Sequence, residues 1–357
     1  LLLITVGAIA LGRLRTDDAD RHLVARAALT AAAGLSLAFS SAQSWVAVAA
    51  TVLLLGTLAG ESTVEHVIRP SLRAWNLPGH PTSPQGRTFE PMLAANSAGL
   101  SAIALGLLGL PIPAVAAAVL VFLAAGLAAA GLRLIQVRQH RPERRIREAL
   151  TSYAPAYYLY FSSTPQASYQ LTMWLPYLAR TGGRGALVIR DPQFVRTAVE
   201  LTGIPGILAR SVESLEYAFV PSAKACFYVN NDHRNVHGVR FTRLTHVHLG
   251  HGDSDKPASY SATFAMFDKV FVSGQAAVDR FAEHGVQIPA EKFVLVGRPQ
   301  VEAIEVADPD RPAAAQPVVL YAPTWRGGLE DSLFGSLQHG ERIVSALLAA
   351  GATVWFR

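Results

Sequence analysis

Hydrophobic and polar positions follow two different rules along this chain. Over residues 1–132 the apolar residues come in long runs, at about 1–12, 27–41, 44–60, 93–110 and 114–132. Each run is near or below the ~20 residues that cross a bilayer as helix. Gln43 with flanking serines divides the second run from the third, and Pro111-Ile112-Pro113 divides the fourth from the fifth. Each pair therefore reads as a helical hairpin. The alanine-rich stretch 27–60 also admits one long or re-entrant helix. From Tyr157 the pattern changes to short apolar strands alternating with amphipathic helices, as in βαβ architecture. Strands are expected at 157–162, 185–190, 205–209, 224–230, 244–249, 269–273 and 293–296, with helices at 168–180, 192–202, 212–219, 258–266 and 275–285. Asp308 to Pro312 reads as a linker. A further strand is expected from Val318, then a helix at 332–350 and a strand at 352–357.

Arginine placement orients the apolar third. Arg13, Arg15, Arg21 and Arg26 lie in the linker 13–26, and Arg69, Arg73 and Arg87 in the linker 61–91, while neither hairpin tip carries Lys or Arg. The positive-inside rule then puts both linkers and everything after Leu132 in the cytoplasm. No Asp, Glu, Lys or Arg lies within any run, which argues against ion-coupled transport by this third alone. Small residues such as Ala31, Ala32, Ala33 and Gly34 suit close helix packing.

The chain has 357 residues, enough for two or more domains, and 51% of them are hydrophobic against 16% charged. The excess apolar content is concentrated in the first third. Cys226 is the single cysteine, so no intrachain disulfide forms. The net charge of +5 is mild, and much of it sits in the segment following the fifth run, at Arg138, Arg141, Arg144, Arg145 and Arg147. That clustering suits anionic lipid headgroups and does not suggest nucleic acid. The segment reads either as a juxtamembrane clamp on lipid or as a topology signal only.

The chemistry-bearing stretch is Thr245 to Lys256, THVHLGHGDSDK. Val247 and Leu249 alternate with polar neighbours as in a strand, and Gly250 and Gly252 allow a sharp turn at its end. His251 is thus expected at the carboxyl end of a strand, where open α/β sheets bind ligands. Its imidazole suits proton transfer near neutrality. Five of the eleven histidines fall between His233 and His251. His246 and His248, at i and i+2 with Asp253 or Asp255, admit a metal reading, but no third ligand follows a recognised spacing. They read better as packed on the sheet or lining a cleft, with His284 and His339 at the surface. A second stretch, Val318 to Arg326, is a strand followed by Pro-Thr-Trp-Arg and Gly327-Gly328.

Together these stretches resemble the HG-x-x-x-K and YAPTWR signatures of the CDP-glycerol glycerophosphotransferases that build teichoic-acid-type polymers. His251, Gly252 and Lys256 match the first signature, and Tyr321 through Arg326 match the second. The segment Gly297-Arg298-Pro299-Gln300 departs from the family's G-x-P-R, and Gly250 stands where the family has tryptophan. The likeness covers roughly residues 155 to 357. It implies a GT-B-like fold of two doubly wound Rossmann-like halves: the first at 153–307 on the acceptor side, the second begun at 308–357 on the donor side and truncated. Preceded by transmembrane helices over 1–132 and the basic segment 133–152, this describes a multi-pass cell-membrane protein with a cytoplasmic catalytic domain.

The resemblance further implies His251 as general base, with Gly252, Lys256, Arg298, Thr324 and Arg326 as phosphate-binding residues and no metal. CDP-glycerol is the implied donor, no other cofactor is implied, and the acceptor is lipid-linked or a polymer. Asp331 fits the cap of a helix whose N-terminus would face the phosphate. Two alternatives stay open: a sugar-nucleotide glycosyltransferase on the same fold, and a non-catalytic membrane assembly protein.

Overall fold

The computed structural model describes residues 23–40, 42, 44–81, 90–163, 165–306, 316–323 and 335–357. The first apolar run and the 308–312 linker lie outside the described residues. In chain order the structure runs α1 (Leu23–Phe39), α2 (Ser44–Ile68), β1 (Leu72–Trp75), α3 (Pro91–Leu107), α4 (Ile112–His140), α5 (Pro142–Tyr153) and β2 (Tyr157–Phe161). It continues with α6 (Ser168–Thr172), α7 (Leu175–Ala179), β3 (Gly185–Ile189), α8 (Val195–Thr202), β4 (Gly206–Ala209), α9 (Val212–Ala218), β5 (Ala225–Tyr228) and α10 (Asn235–Val239). The last elements are β6 (Thr245–His248), β7 (Lys269–Val272), α11 (Gln275–Glu283), β8 (Phe293–Leu295), β9 (Val318–Tyr321), α12 (Gly340–Ala349) and β10 (Thr353–Phe356).

Two compact units form: Leu1–Ser168 with Gly183–Ala223, and Tyr169–Gly182 with Lys224–Arg357. Each unit contains four strands of largely parallel α/β sheet. In the first unit the order is β1-β4-β3-β2, with β1 antiparallel to β4 and the other pairs parallel. In the second it is β5-β6-β7-β8, all parallel, and β9 and β10 form a separate parallel pair. Strands β2, β3 and β4 are almost continuously buried, the pattern of parallel strands covered on both faces.

Among the apolar helices, α2 and the stretch Ile112–Tyr153 are long and apolar enough to cross a membrane, while α1 and α3 are shorter apolar helices. Helix α4 buries Ile112, Val115, Val119, Leu123, Gly126 and Ala130 as a single stripe at three- and four-residue spacing. That stripe packs with Leu37, Leu54, Leu100 and Ile103 of α1, α2 and α3. The outward faces are apolar as well: Val121 is 64% and Leu132 63% exposed on α4, and Trp45 74% on α2. Close approach depends on small residues, since a Cβ at Gly126 would fall 2.5 Å from Ala95 and one at Gly34 2.1 Å from Thr51.

Four features differ from the sequence-based expectation. Helix α2 runs past its apolar run to Ile68, so Glu61 and Glu65 are helical and buried, as is Arg26 in α1. Arg26 Nη1 and Nη2 donate to Glu61 Oε2 and Oε1 at 2.8 and 2.7 Å, Asn96 Nδ2 donates to Glu61 Oε2 at 2.9 Å, and Thr57 donates to Asn96 Oδ1 at 2.8 Å. Hydropathy counting stops at a charge, but a charge with its partner inside the bundle does not stop the helix. Second, the linker 61–91 contains β1, whose Trp75 pairs with Gly206 so closely that a Cβ there would lie 1.9 Å from the indole. Third, the helix expected at 168–180 is broken into α6 and α7, with Pro176 in the first turn of the second piece, where its missing N–H is harmless. The helix expected at 258–266 is two 3₁₀ turns, Pro257–Tyr260 and Ala262–Met266.

Candidate functional site

The site belongs to the second unit and grows from β6. Its strand character follows from burial on both sides: His246, Val247 and His248 are buried, with Thr245 exposed at the start. His246 is held structurally: Nε2–H donates to the Phe241 carbonyl at 3.1 Å and Nδ1 accepts from the Tyr228 hydroxyl at 3.0 Å. His248 packs on Phe264 and Phe267 at ring distances of 4.4 and 5.0 Å, and its Nδ1 accepts the Gly250 N–H at 3.2 Å. Burial lowers its pKa to about 3, with the nearby His251 acting in the same direction. Both rings are therefore neutral packing elements of the strand.

Beyond β6 the backbone turns at Gly250, where φ is +70°. A residue with a Cβ reaches that region only at a cost, so a large side chain such as tryptophan does not suit the position. The Trp174 indole Nε1–H donates to the Gly250 carbonyl at 2.6 Å. His251 follows directly, half-buried, with the Tyr169 ring edge-on at 6.2 Å. Its Nδ1 lies 2.6 Å from the Val229 carbonyl. A carbonyl can only accept, so Nδ1 carries the proton and Nε2 holds the lone pair. Burial lowers the pKa of His251, partly offset by the Val229 carbonyl, which favours the protonated form. Near neutral pH His251 is thus an oriented, unprotonated imidazole.

The loop after His251 is acidic, and its charge is met from α11. Arg280 donates through Nη1 to Asp253 Oδ1 at 2.5 Å and through Nε to Asp255 Oδ1 at 2.9 Å, while the Ser273 hydroxyl reaches Asp253 Oδ2 at 2.5 Å. The two carboxylates fix the loop and leave the guanidinium pKa raised, although desolvation opposes this. Among the described residues no group of three or more His, Cys, Asp or Glu side chains could hold a metal ion.

Of the residues singled out in the sequence, Gly252 is exposed and Lys256 is half-buried at the start of the 3₁₀ turn Pro257–Tyr260. Arg298 is exposed, in a segment fastened to the 169–182 helices: Tyr177 donates to the Pro299 carbonyl at 2.8 Å, and Arg180 pairs with Glu302 at 2.5 Å. Both His251 and the Arg298 segment therefore touch the helical segment Tyr169–Gly182. Thr324 and Arg326, with Asp331, lie outside the described residues. Tyr321, at the end of β9, donates to the Ser336 carbonyl at 3.0 Å. His284 is exposed and stacks on Tyr260 at 3.7 Å, and His339 is exposed.

Sequence reasoning passed over Tyr169, Trp174, Ser273 and Arg280. Arg280 lies twenty-five and twenty-seven positions from its two partners, a separation that no spacing rule reports. No protein-family model, curated protein or solved structure matches the chain.

Proposed function

We propose that the protein is a membrane-bound transferase that moves glycerol phosphate, or a similar polyol phosphate, from a CDP-linked donor to a lipid-linked or polymer acceptor. The observation that carries this reading is the tautomer of His251, whose Nδ1–H is committed to the Val229 carbonyl so that Nε2 is left as a base at the carboxyl end of a parallel strand. In the reaction, an acceptor hydroxyl oxygen bonds to the phosphorus that carries glycerol. The phosphorus–oxygen bond to CMP breaks, CMP leaves, and the hydroxyl proton passes to His251 Nε2. Positioning and charge neutralisation supply most of such a step, for which Lys256, Arg298, Thr324 and Arg326 are the proposed phosphate partners. The YAPTWR and HG-x-x-x-K resemblance supports the donor class, and a GT-B arrangement of two Rossmann-like halves belongs to the same proposal.

The reading includes a multi-pass membrane placement with the α/β part cytoplasmic. Helices that are apolar on their outward faces and polar at a buried ion pair suit lipid as solvent, and the arginine asymmetry sets the orientation. The test uses membranes carrying the protein, with CDP-glycerol labelled in the glycerol. Label should enter a lipid or polymer fraction as CMP is released, and His251→Ala should lower the rate ~10²-fold or more. A near-normal rate for His251→Ala with every donor the wild type accepts would show that His251 is not the base. Turnover with a UDP-sugar alone moves the reading to glycosyl transfer, and donor binding without turnover moves it to a non-catalytic assembly role.

A further inference from the structure

The first unit carries a concave site that the transferase reading does not use. An open pocket of about 570 Å³ is lined by residues at the carboxyl ends of α2 and α4, the start of α5 and one side of α9. Arg69, Arg138, Arg141 and Arg144 line it, against the carboxylates of Glu143 and Glu213. Arg69 is paired with Glu90, and Glu143 accepts the Ser71 hydroxyl at 3.0 Å. Among the described residues, Arg138, Arg141 and Arg144 have no acidic partner. Arg141 is held at φ +42° between α4 and Pro142, where the proline disfavours continuation of the helix and turns α5 away.

The pocket is two-natured. Val67, Leu134 and Val137 line it together with the arginines. On α4 the neighbouring Leu132 and Ile135 are 63% and 53% exposed, so the apolar outer face continues up to the level of the pocket. Helix α4 has 29 residues, about 43 Å, against a hydrocarbon thickness of about 30 Å. Counted from Ile112, the hydrocarbon limit falls near Leu132, which leaves Arg138 and Arg141 at headgroup depth. A soluble phosphate has no use for the apolar wall, whereas a lipid phosphate presents an anion and a chain at that spacing.

We infer that this pocket binds the phosphate-bearing headgroup of a membrane lipid, with Arg138, Arg141 and Arg144 on the phosphate oxygens and Val67, Leu134 and Val137 against the adjoining glycerol and first methylenes. The inference rests on the membrane placement and not on the transfer chemistry. Three arginines without acidic partners, set beside apolar neighbours, make a site for one headgroup, distinct from the diffuse attraction of a basic segment.

Native mass spectrometry of the detergent-purified chain tests it with four probes: phosphatidic acid, phosphatidylcholine of the same acyl chains, glycerol 3-phosphate and inorganic phosphate. Phosphatidic acid should bind about tenfold more tightly than phosphatidylcholine, and neither soluble phosphate should displace it. The double variant Arg138→Gln with Arg144→Gln should lose about tenfold. The charge-matched control Arg133→Gln with Arg145→Gln, on exposed arginines that do not line the pocket, should lose less than about twofold. Arg141→Gln gives an independent reading in the same direction. Equal losses in pocket and control variants would mean diffuse electrostatics, and displacement by glycerol 3-phosphate would mean a soluble ligand; either overturns the inference. A chain that stays monodisperse without detergent defeats the membrane reading itself, whereas a detergent-requiring chain with no lipid preference defeats this inference alone.

Discussion

Helices α4 and α11 bury their inner faces alike and differ in what they turn outward. On α11, Ala277 and Phe281 are buried at four-residue spacing, and Gln275, Asp279 and Glu283 are exposed. On α4 the buried stripe from Val115 to Ala130 is backed by Leu120, Val121 and Leu127, all at least half exposed. The first arrangement minimises apolar contact with water and the second does nothing of the kind. The polar interior follows the same division. Around α4 the buried charges of Arg26 and Glu61 satisfy each other in a two-toothed pair, because neither side chain reaches the surface of the bundle. In the second unit the buried polar groups of β6 are neutral imidazoles, one of them packed at a tilt against two phenylalanine rings. The Arg26–Glu61 charges are kept inside the bundle by pairing, whereas the buried imidazoles of β6 are neutral.

The largest expected effect breaks the bundle side of this comparison. Glu61→Ala leaves the Arg26 guanidinium buried without its partner and should cost about 3–5 kcal/mol, whereas Arg26→Met combined with Glu61→Leu should restore most of the loss. Thermal unfolding in detergent reads both. A Glu61→Ala protein as stable as wild type would mean that Arg26 is hydrated and the bundle interior is wet.

The next effect sharpens the sheet side. The pKa of His248 is lowered by burial from 6.5 to about 3, so the unfolded chain binds this proton where the folded chain does not. Stability from this group is complete above about pH 6.5 and is lost as pH falls toward 3, which amounts to roughly 3 kcal/mol between pH 7 and pH 4. His248→Leu should flatten that part of the denaturation profile, even if its stability at pH 7 is lower. An unchanged acid slope would place the imidazole in contact with water.

The smallest effects compare close packing in the two settings. Gly206→Ala would push a Cβ into Trp75 and should cost about 1–3 kcal/mol, detaching β1 from β4. Gly34→Ala meets the Thr51 side chain and should cost less, because Thr51 can rotate away at the price of its bond to the Ala47 carbonyl. Hydrogen exchange at Leu72 to Trp75 reads the first variant and thermal unfolding in detergent the second. Protection of β1 unchanged by Gly206→Ala would show that the strand is not fastened at that point.

Much of the α/β part was legible because strand burial writes itself into local pattern. YYLYF, GALVI and THVH each announced their strands to within a residue or two, and Gly250 announced the turn that presents His251. The strand LRAW was not legible. It is four residues long, carries Arg73 within it, and is a strand only because Gly206 leaves room for Trp75. The apolar runs likewise ended at the first charge, yet α2 continues through Glu61 and Glu65.

By itself the sequence determined the alternation of strands and helices, the apolar runs, the arginine asymmetry and the position of His251 at a strand end, since each of these is carried by neighbours within about one turn or one strand. Only the tertiary structure decided which nitrogen of His251 is free, that Arg280 holds Asp253 and Asp255, that Arg26 meets Glu61, and that Arg69, Arg138, Arg141 and Arg144 share one pocket. These are pairings across twenty or more positions, or convergences of several elements, and they depend on how helices and strands pack in space. No local preference of the chain encodes that packing.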